Sequence, residues 1–351
     1  MRLTDSWTLG GLPIPNRVVL APLAGIGNWF VRLQAQRHGA GLAVSEMVSS
    51  FAVHYGNEKT CTELLRIHPD ERLVSIQLFG QDPEVMRSAA AAVAQAGADV
   101  IDLNMGCPVP KVCKTGAGAA LLSDHDRAVA VARAAREGSG LPVTVKLRSG
   151  QRPGETDGVR LARRLVDEAG VAAIAFHPRS AAVHHKGTPD YPLAARLVET
   201  LGAPVVVSGG LRDASAARHA FEATGADAVM VARGSLGNPW VFEQLLGRRG
   251  DDEPPSAAEV LDELDWLMDR AVEHFGPVRA ARWLRKAYPW YVERLGGGKA
   301  MQAALQATDA VDAARAALAP LRDVALAADP GSCAAVPAPL GAGDARPRAA
   351  A

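Results

Sequence analysis

The 351-residue chain is 48% hydrophobic and 22% charged, with 38 basic residues against 38 acidic ones. This composition excludes a disordered, collagen-like or fibrous protein. A formal net charge of zero provides no global field to steer a nucleic acid or membrane surface, so such a partner needs a local basic patch. Only seven of the basic residues are lysines, which makes Lys146, inside an apolar segment, conspicuous. The cysteines, Cys61, Cys107, Cys113 and Cys333, form no C-x-x-C pair, which argues against a zinc site or a disulfide framework and fits a reducing compartment. The N-terminus, Met1–Trp7, lacks the apolar core of a signal peptide, and no window holds the roughly 18 apolar residues of a membrane span. A cytoplasmic protein with no membrane contact and no metal is expected.

Short β-branched runs recur in chain order at Arg17–Ala21, Leu42–Glu46, Leu73–Leu78, Asp99–Asn104, Pro142–Arg148, Val171–His177, Pro204–Ser208 and Asp227–Ala232. Most are apolar throughout, the pattern of parallel strands covered on both faces. Ala-rich amphipathic stretches lie between them. The clearest has Asp82 as N-cap, Pro83 at the first helical position and Gly97 just past the end, and Asp213 and Gly225 repeat the arrangement. Eight strand-helix units predict a TIM barrel, a closed (β/α)8 fold of the α/β class, over residues 1–246. A doubly wound open sheet is the structural alternative, since periodicity does not register closure.

Gly247–Pro255 is a polar, Pro/Gly-rich linker, after which helical periodicity marks Ser256–Phe275, Val278–Leu295 and Lys299–Leu318. A small helical domain over 256–325 is predicted. Residues 327–351, rich in Ala, Pro and Gly, read as a disordered tail that includes Cys333.

Reactive groups of such barrels collect at the C-terminal strand ends. Those ends carry Pro22-Leu23-Ala24-Gly25, Ser45-Glu46-Met47, Gln77, Asn104-Met105-Gly106-Cys107-Pro108, Lys146 and Arg148, His177 and Arg179, Ser208-Gly209-Gly210, and Ala232-Arg233-Gly234. Glycine-rich loops after the last two strands form the usual barrel phosphate site, with Arg233 adding a charged contact, so a phosphorylated ligand is implied; flavin mononucleotide is one. Lys146 could be a snorkelling side chain, a Schiff-base nucleophile, or a cation beside a flavin ring. His177 and Gln77 read equally as core residues or ligand contacts. Cys107, between Gly106 and Pro108, presents a thiol that can donate a proton as well as attack, against the commoner reading of free cysteine as a small buried hydrophobe. Cys113 lacks that bracket and is given no role.

The sequence resembles the tRNA-dihydrouridine synthases, and within them the bacterial B-type branch, over roughly residues 10 to 320. The resemblance is carried by Ala21-Pro22-Leu23-Ala24-Gly25, Gly41–Met47, Asn104–Pro108 continuing through Val112 to Gly116–Leu122, Gly237–Phe242, and Arg285-Lys286 with Trp290-Tyr291. It implies an FMN enzyme that uses NADPH to reduce the C5–C6 double bond of a uridine in the tRNA D-loop. By the same resemblance Pro22, Leu23, Ala24, Gln77, Lys146 and His177 hold the flavin ring and ribityl chain. Ser208, Gly209, Gly210, Ala232 and Arg233 hold its phosphate end, Cys107 is the catalytic acid, and Asn104 meets the uracil. Pro178 stands where the family usually has glycine, and Ser208-Gly209-Gly210 where it commonly has Asn-Gly-Asp.

Residues 251–330 carry nine basic and 14 acidic side chains, which speaks against a generally basic RNA-binding module. Even so, Arg279, Arg282, Arg285 and Lys286 recur at spacings near three, followed by Tyr288, Trp290 and Tyr291. This is either a basic helix face beside aromatics, suited to phosphates and a splayed base, or a solvated face beside a core edge. With Arg179 these residues are the expected substrate contacts; His184, His185 and Lys186 read as tRNA contacts or surface filler. A monomer acting on tRNA, with no DNA partner, is expected. The rivals are a free-pyrimidine flavoenzyme resembling dihydroorotate dehydrogenase, a cofactor-free Lys146 aldolase, and an RNA-binding protein on a catalytically retired barrel.

Overall fold

The computed structural model describes residues 1–328. A short antiparallel hairpin comes first, β1 (Trp7–Leu9) and β2 (Leu12–Ile14), followed by eight parallel strands: β3 (Val18–Leu20), β4 (Leu42–Ser49), β5 (Val74–Phe79), β6 (Val100–Met105), β7 (Val143–Arg148), β8 (Ala173–His177), β9 (Val205–Ser208) and β10 (Ala228–Val231). Each strand pairs with its sequence neighbour, and β10 closes onto β3 with Val229 opposite Val18, so the sheet is a closed (β/α)8 barrel and the open-sheet alternative is excluded. The eight predicted runs match these strands to within a few residues. The hairpin was not foreseen, because two three-residue strands give no usable period and only Gly10-Gly11, both at positive φ, mark the turn. A Cβ on Gly10 would come within 2.8 Å of Pro142, ahead of β7. Trp7, Leu9 and Ile14 pack with Val19, Leu42, Val100, Ala173 and Ala228, so the hairpin fills the N-terminal end of the barrel.

The caps act as their residue types dictate. Asp82 accepts the Glu84 and Val85 N–H groups at 2.9 and 3.0 Å, and Asp213 accepts that of Ala216 at 2.7 Å, each meeting donors that a helix start leaves unpaired. Inside the barrel, alternate residues change character along the strands. Val100, Ala173 and Ala228 belong to the apolar core, whereas Asn104, Lys146, His177 and Ser208 stand at the C-terminal ends.

The chain divides into two compact units, one over residues 1–234 and one from Ser235 onward, the helix Trp240–Leu245 grouping with the latter. In the second unit, helix Ala257–Phe275 starts with a capping box between Ser256 and Glu259 and packs against Pro277–Leu284 and Val311–Ala328. Two expected helices are each divided. Val278–Leu295 becomes Pro277–Leu284 and Tyr288–Arg294, because Pro289 cannot continue a helix but suits a new first turn. Lys299–Leu318 becomes Lys299–Ala307 and Val311–Ala328, with extended backbone at Thr308 between them. The expected tail lies outside the described residues from 329 onward. Among the described residues no helix is long and apolar enough to cross a membrane.

Candidate active site

The C-terminal mouth of the barrel is organised from β4 to β7 by a run of polar side chains. A register shift between Val44 and Met47 in β4 accommodates Ser45 and Glu46: the Ser45 hydroxyl accepts the Gln77 N–H (2.9 Å), and the Glu46 carboxylate accepts that of Gly25 (2.8 Å). The second contact ties down the Pro22-Leu23-Ala24-Gly25 loop after β3. On β6, Asp102 and Asn104 share a face. Gln77 Nε2 donates to Asp102 Oδ2 (2.6 Å), Thr144 Oγ1 donates to Asp102 Oδ1 (2.5 Å), and Asn104 Nδ2 donates to Gln77 Oε1 (2.9 Å). Asn104 Oδ1 then accepts the backbone N–H groups of Cys107 (2.9 Å) and Gly106 (3.3 Å). The Asn104 amide, expected at the uracil, is thus engaged in holding the Cys107 loop. Asp102 and Thr144 went unnoticed in the sequence, although a carboxylate two residues before Asn104 in an otherwise apolar strand was the available signal.

Cys107 is half-buried, its carbonyl accepting from the Ala119 N–H (3.0 Å) and the Cys113 thiol (3.3 Å). Gly118, at φ +62°, leaves room for this turn, since a Cβ there would lie 2.7 Å from the Cys107 carbonyl oxygen. Burial pushes the Cys107 thiol up, opposed by the Val109 N–H and by the Arg148 and Lys146 cations, so it stays protonated at neutral pH. Arg148 bridges two loops: Nε donates to the Gly106 carbonyl (2.9 Å) and Nη1 to those of Ser180 (3.1 Å) and His184 (2.6 Å). His184 accepts a φ of +52°, strained for a non-glycine residue, in the segment that presents His185.

Opposite lies a concentration of positive charge. Lys146 Nζ donates to Ser208 Oγ (3.4 Å), and burial, with Arg148 nearby, lowers Lys146 to about 8. Arg179 Nη1 donates to His177 Nε2 (3.3 Å), which leaves that imidazole neutral, its pKa driven far down by burial and then by Lys146, Arg148 and Arg179. His185, with its ring 6.0 Å from that of His177, falls to about 4 through burial, with Arg233 the largest of the nearby charges. The partners of Lys146, Arg148 and Arg179 are carbonyls, a hydroxyl and an imidazole. Arg179 Nε is buried with no hydrogen-bond partner among the described residues. Arg148 and Arg179, bonded to neutral acceptors and one of them with an unmet donor, suit an anion such as a phosphate, with Lys146 beside them.

The glycines after β9 shape this region. A Cβ on Gly209 (φ +97°) would sit 2.4 Å from the His177 ring, and one on Gly210 (φ +84°) would be 2.9 Å from the Tyr191 hydroxyl, which donates to the Gly209 carbonyl (3.0 Å). Gly209→Ala is expected to cost about 2 kcal/mol through backbone strain and overpacking. Urea unfolding that leaves the midpoint unchanged would show that the His177 ring moves aside freely.

In the second unit, Arg279, Arg282 and Lys286 are exposed, whereas Arg285 is half-buried and donates to the Thr308 carbonyl through Nη2 (2.9 Å) and Nε (3.3 Å). Arg285 therefore holds the end of helix Lys299–Ala307 rather than standing in a basic face. Tyr288 and Tyr291 are buried core residues and offer no stacking surface. The acidic surplus of this unit is partly consumed internally, as Asp262 and Asp265 pair with Arg322 (2.6 and 2.5 Å) and Asp265 with Arg315 (3.4 Å).

Comparison with known proteins agrees with this picture. Two curated relatives are tRNA-dihydrouridine synthase B of Pseudomonas putida, 34% identical over 313 residues (86% of this chain and 90% of the relative), and that of Xanthomonas axonopodis pv. citri, 35% identical over 289 residues (81% and 86%). Solved structures share the barrel at lower identity. Morphinone reductase in complex with tetrahydroNAD is 17% identical with a TM-score of 0.52, covering 73% of this chain and 93% of that one. An old yellow enzyme homologue from Zymomonas mobilis is 16% identical with a TM-score of 0.53, covering 73% and 95%. These last two speak to the fold alone. The dihydrouridine synthase family model matches residues 19–327, from the first barrel strand into the last described helix, and the chain belongs to the dihydrouridine synthase family.

Proposed function

We propose that the protein is a tRNA-dihydrouridine synthase that binds FMN, draws reducing equivalents from NADPH, and reduces the C5–C6 double bond of a D-loop uridine, acting in the cytoplasm as a monomer. The observation that carries this reading is a half-buried Cys107 thiol, its pKa raised by burial, at a barrel mouth whose cations Arg148 and Arg179 donate to carbonyls and an imidazole. Pro22, Leu23, Ala24, Gln77, Lys146 and His177 would hold the ring and ribityl chain of the flavin, and Ser208, Gly209, Gly210, Ala232 and Arg233 its phosphate. The bound flavin supplies the hydride that C6 of the uracil receives.

The remaining work falls to the chain's own side chains. Cys107 Sγ keeps its proton because burial disfavours the thiolate, and it delivers that proton to C5 as enolate character develops toward O4. Asn104 serves this step by fixing the Cys107 backbone. Arg179, with its unmet Nε donor, serves an anionic group of the ligand or the RNA. Arg279, Arg282 and Lys286 supply exposed charge for tRNA phosphates, which predicts that affinity falls as salt rises.

Lys146 gives a pH signature. Burial lowers it to about 8, against roughly 10.4 for an unperturbed lysine, so the ammonium is charged below pH 8 and neutral above. The FMN dissociation constant is therefore expected to be flat below pH 8 and to climb above it, and Lys146→Met should weaken binding and abolish the climb. Fluorescence titration showing the same pH dependence in both proteins would remove Lys146 from flavin binding.

The test of the whole reading is anaerobic. The protein is reduced with NADPH and mixed separately with unmodified tRNA, uridine and orotate, while its visible spectrum is followed. Reoxidation by tRNA alone, with dihydrouridine formed, is the expected result. Reoxidation only by a free pyrimidine, or no flavin spectrum after FMN addition, overturns it.

A further inference from the structure

Cys107 is held by its backbone, and the chain of bonds that holds it ends on a carboxylate. Asp102 is wholly buried inside the barrel on β6, with Oδ1 taken by the Thr144 hydroxyl at 2.5 Å and Oδ2 by Gln77 Nε2 at 2.6 Å. A carboxylate can only accept. Gln77 must therefore turn its nitrogen toward Asp102, and its Oε1 is left to accept from Asn104 Nδ2 at 2.9 Å. With its nitrogen so committed, Asn104 must turn Oδ1 toward the N–H groups of Cys107 and Gly106, at 2.9 and 3.3 Å. Neither amide has an orientational preference of its own, since its oxygen and nitrogen ends are nearly the same size. The acceptor-only carboxylate at one end and the donor-only backbone N–H groups at the other agree on a single direction for the series.

We propose that Asp102 is a positioning residue for dihydrouridine formation: its carboxylate sets the orientation of the Gln77 and Asn104 amides and thereby the placement of the Cys107 thiol. The same carboxylate lies close enough to Lys146 to favour its charged form, so one buried anion both balances the lysine and aligns the acid. Burial is the largest influence on Asp102 itself and raises it to about 6, opposed by the Thr144 and Gln77 hydrogen bonds and then by Lys146. The anion is thus the prevailing form at neutral pH. Loss of the negative charge would let Asp102 donate as well as accept. Gln77 could then present either end, and the reversed series would set Asn104 Nδ2 against the Cys107 N–H, donor to donor. The proposal rests on Cys107 being the proton donor, but the conformational part of it is testable without tRNA.

The test uses the full-length, FMN-loaded protein and three variants: Asp102→Asn, which keeps shape and removes the acceptor-only charge; Gln77→Met, which severs the series one residue later; and Thr144→Val, which leaves the Asp102–Gln77 bond in place. The first readout is iodoacetamide labelling of the Cys107 peptide, followed by mass spectrometry with Cys61 as the internal reference, since the Cys113 thiol is bonded to the Cys107 carbonyl. The second is single-turnover dihydrouridine formation on unmodified tRNA. Asp102→Asn and Gln77→Met should each label severalfold faster at Cys107 but not at Cys61 and turn over about 10²-fold more slowly with tRNA affinity unchanged, the loss expected when a reacting group is displaced by about an ångström. Thr144→Val, which keeps the series but removes the hydrogen bond that most favours the Asp102 anion, should change both readouts less than the other two variants, the change growing as pH falls. Wild-type labelling and turnover in Asp102→Asn overturn the proposal, as does an equal rise at Cys61, which marks general loosening. If Asp102→Asn does not fold, Gln77→Met decides alone, because an unchanged Cys107 in that variant means that the series does not position it. Altered labelling with no dihydrouridine formed by the wild type would instead count against the synthase reading while leaving the positioning intact.

Discussion

Cys107→Ala is expected to purify yellow, to be reduced by NADPH and to bind tRNA like the parent protein, yet to form dihydrouridine about 10³-fold more slowly, the middle of the range for losing a positioned general acid. The expectation is this sharp because, apart from the Val109 N–H that faces the sulfur, the bonds that fix residue 107 are backbone bonds. Its N–H goes to Asn104 Oδ1 and its carbonyl accepts from Ala119 and Cys113, none of which needs the thiol. Alanine removes Sγ and leaves the loop in place. Cys107→Ser is the stricter variant, because it keeps a polar atom at the same position but replaces a thiol with a hydroxyl, a far weaker acid, so it should be nearly as impaired. Rapid mixing of pre-reduced variants with unmodified tRNA, followed by quantification of dihydrouridine, measures the step directly. Alanine turnover within tenfold of wild type would assign the proton to solvent or to another residue.

What the sequence discloses and what it conceals divide along physical lines. The barrel strands are legible because parallel strands covered on both faces must be largely apolar, and runs such as Ala173–His177, and Val143–Arg148 apart from Thr144, leave their polar residues near the C-terminal end. That end is where Lys146, Arg148 and His177 were read as ligand-facing, and the structure brings them together with Ser208, Gly209 and Arg179. The helical unit is less legible. Spacing near three places Arg279, Arg282 and Arg285 on one helix face, but it is blind to Arg285 turning in to cap a neighbouring helix at Thr308. Nor does it register that Tyr288 and Tyr291 follow a break imposed by Pro289 and point into the core. Asp102 was concealed for a different reason: it has no motif of its own, because its hydrogen-bond partners Gln77 and Thr144 lie 25 and 42 residues away.

The largest stability effect is expected at a site remote from the chemistry, the ion pair between Arg32 and Glu71. Both side chains are 0% exposed, Arg32 Nε and Nη2 donate to the two Glu71 oxygens at 2.7 and 3.0 Å, and Nη2 also reaches the Arg66 carbonyl at 2.9 Å. Glu71 in turn accepts the His68 N–H at 2.8 Å. Glu71→Ala strands a guanidinium in the interior, so it should cost about 3–5 kcal/mol, whereas Arg32→Met combined with Glu71→Leu should restore much of that, because desolvating the pair already consumes most of its attraction. The consequence reaches the mouth of the barrel. Arg32 Nη1 donates to the Gly27 carbonyl at 3.4 Å, and Gly27 is packed so closely that a Cβ would lie 2.7 Å from the Glu46 nitrogen. A displaced Arg32 therefore loosens the end of the Pro22–Gly27 loop, and Glu71→Ala should release FMN faster than wild type even where it remains folded. Urea unfolding and flavin release measured on the same preparations separate the two effects. A Glu71→Ala protein less than about 1 kcal/mol below wild type would mean that Arg32 finds water or another acceptor. In that case the backbone hydrogen bonds from Ile26 and Gly27 to Leu23 would suffice to hold the loop.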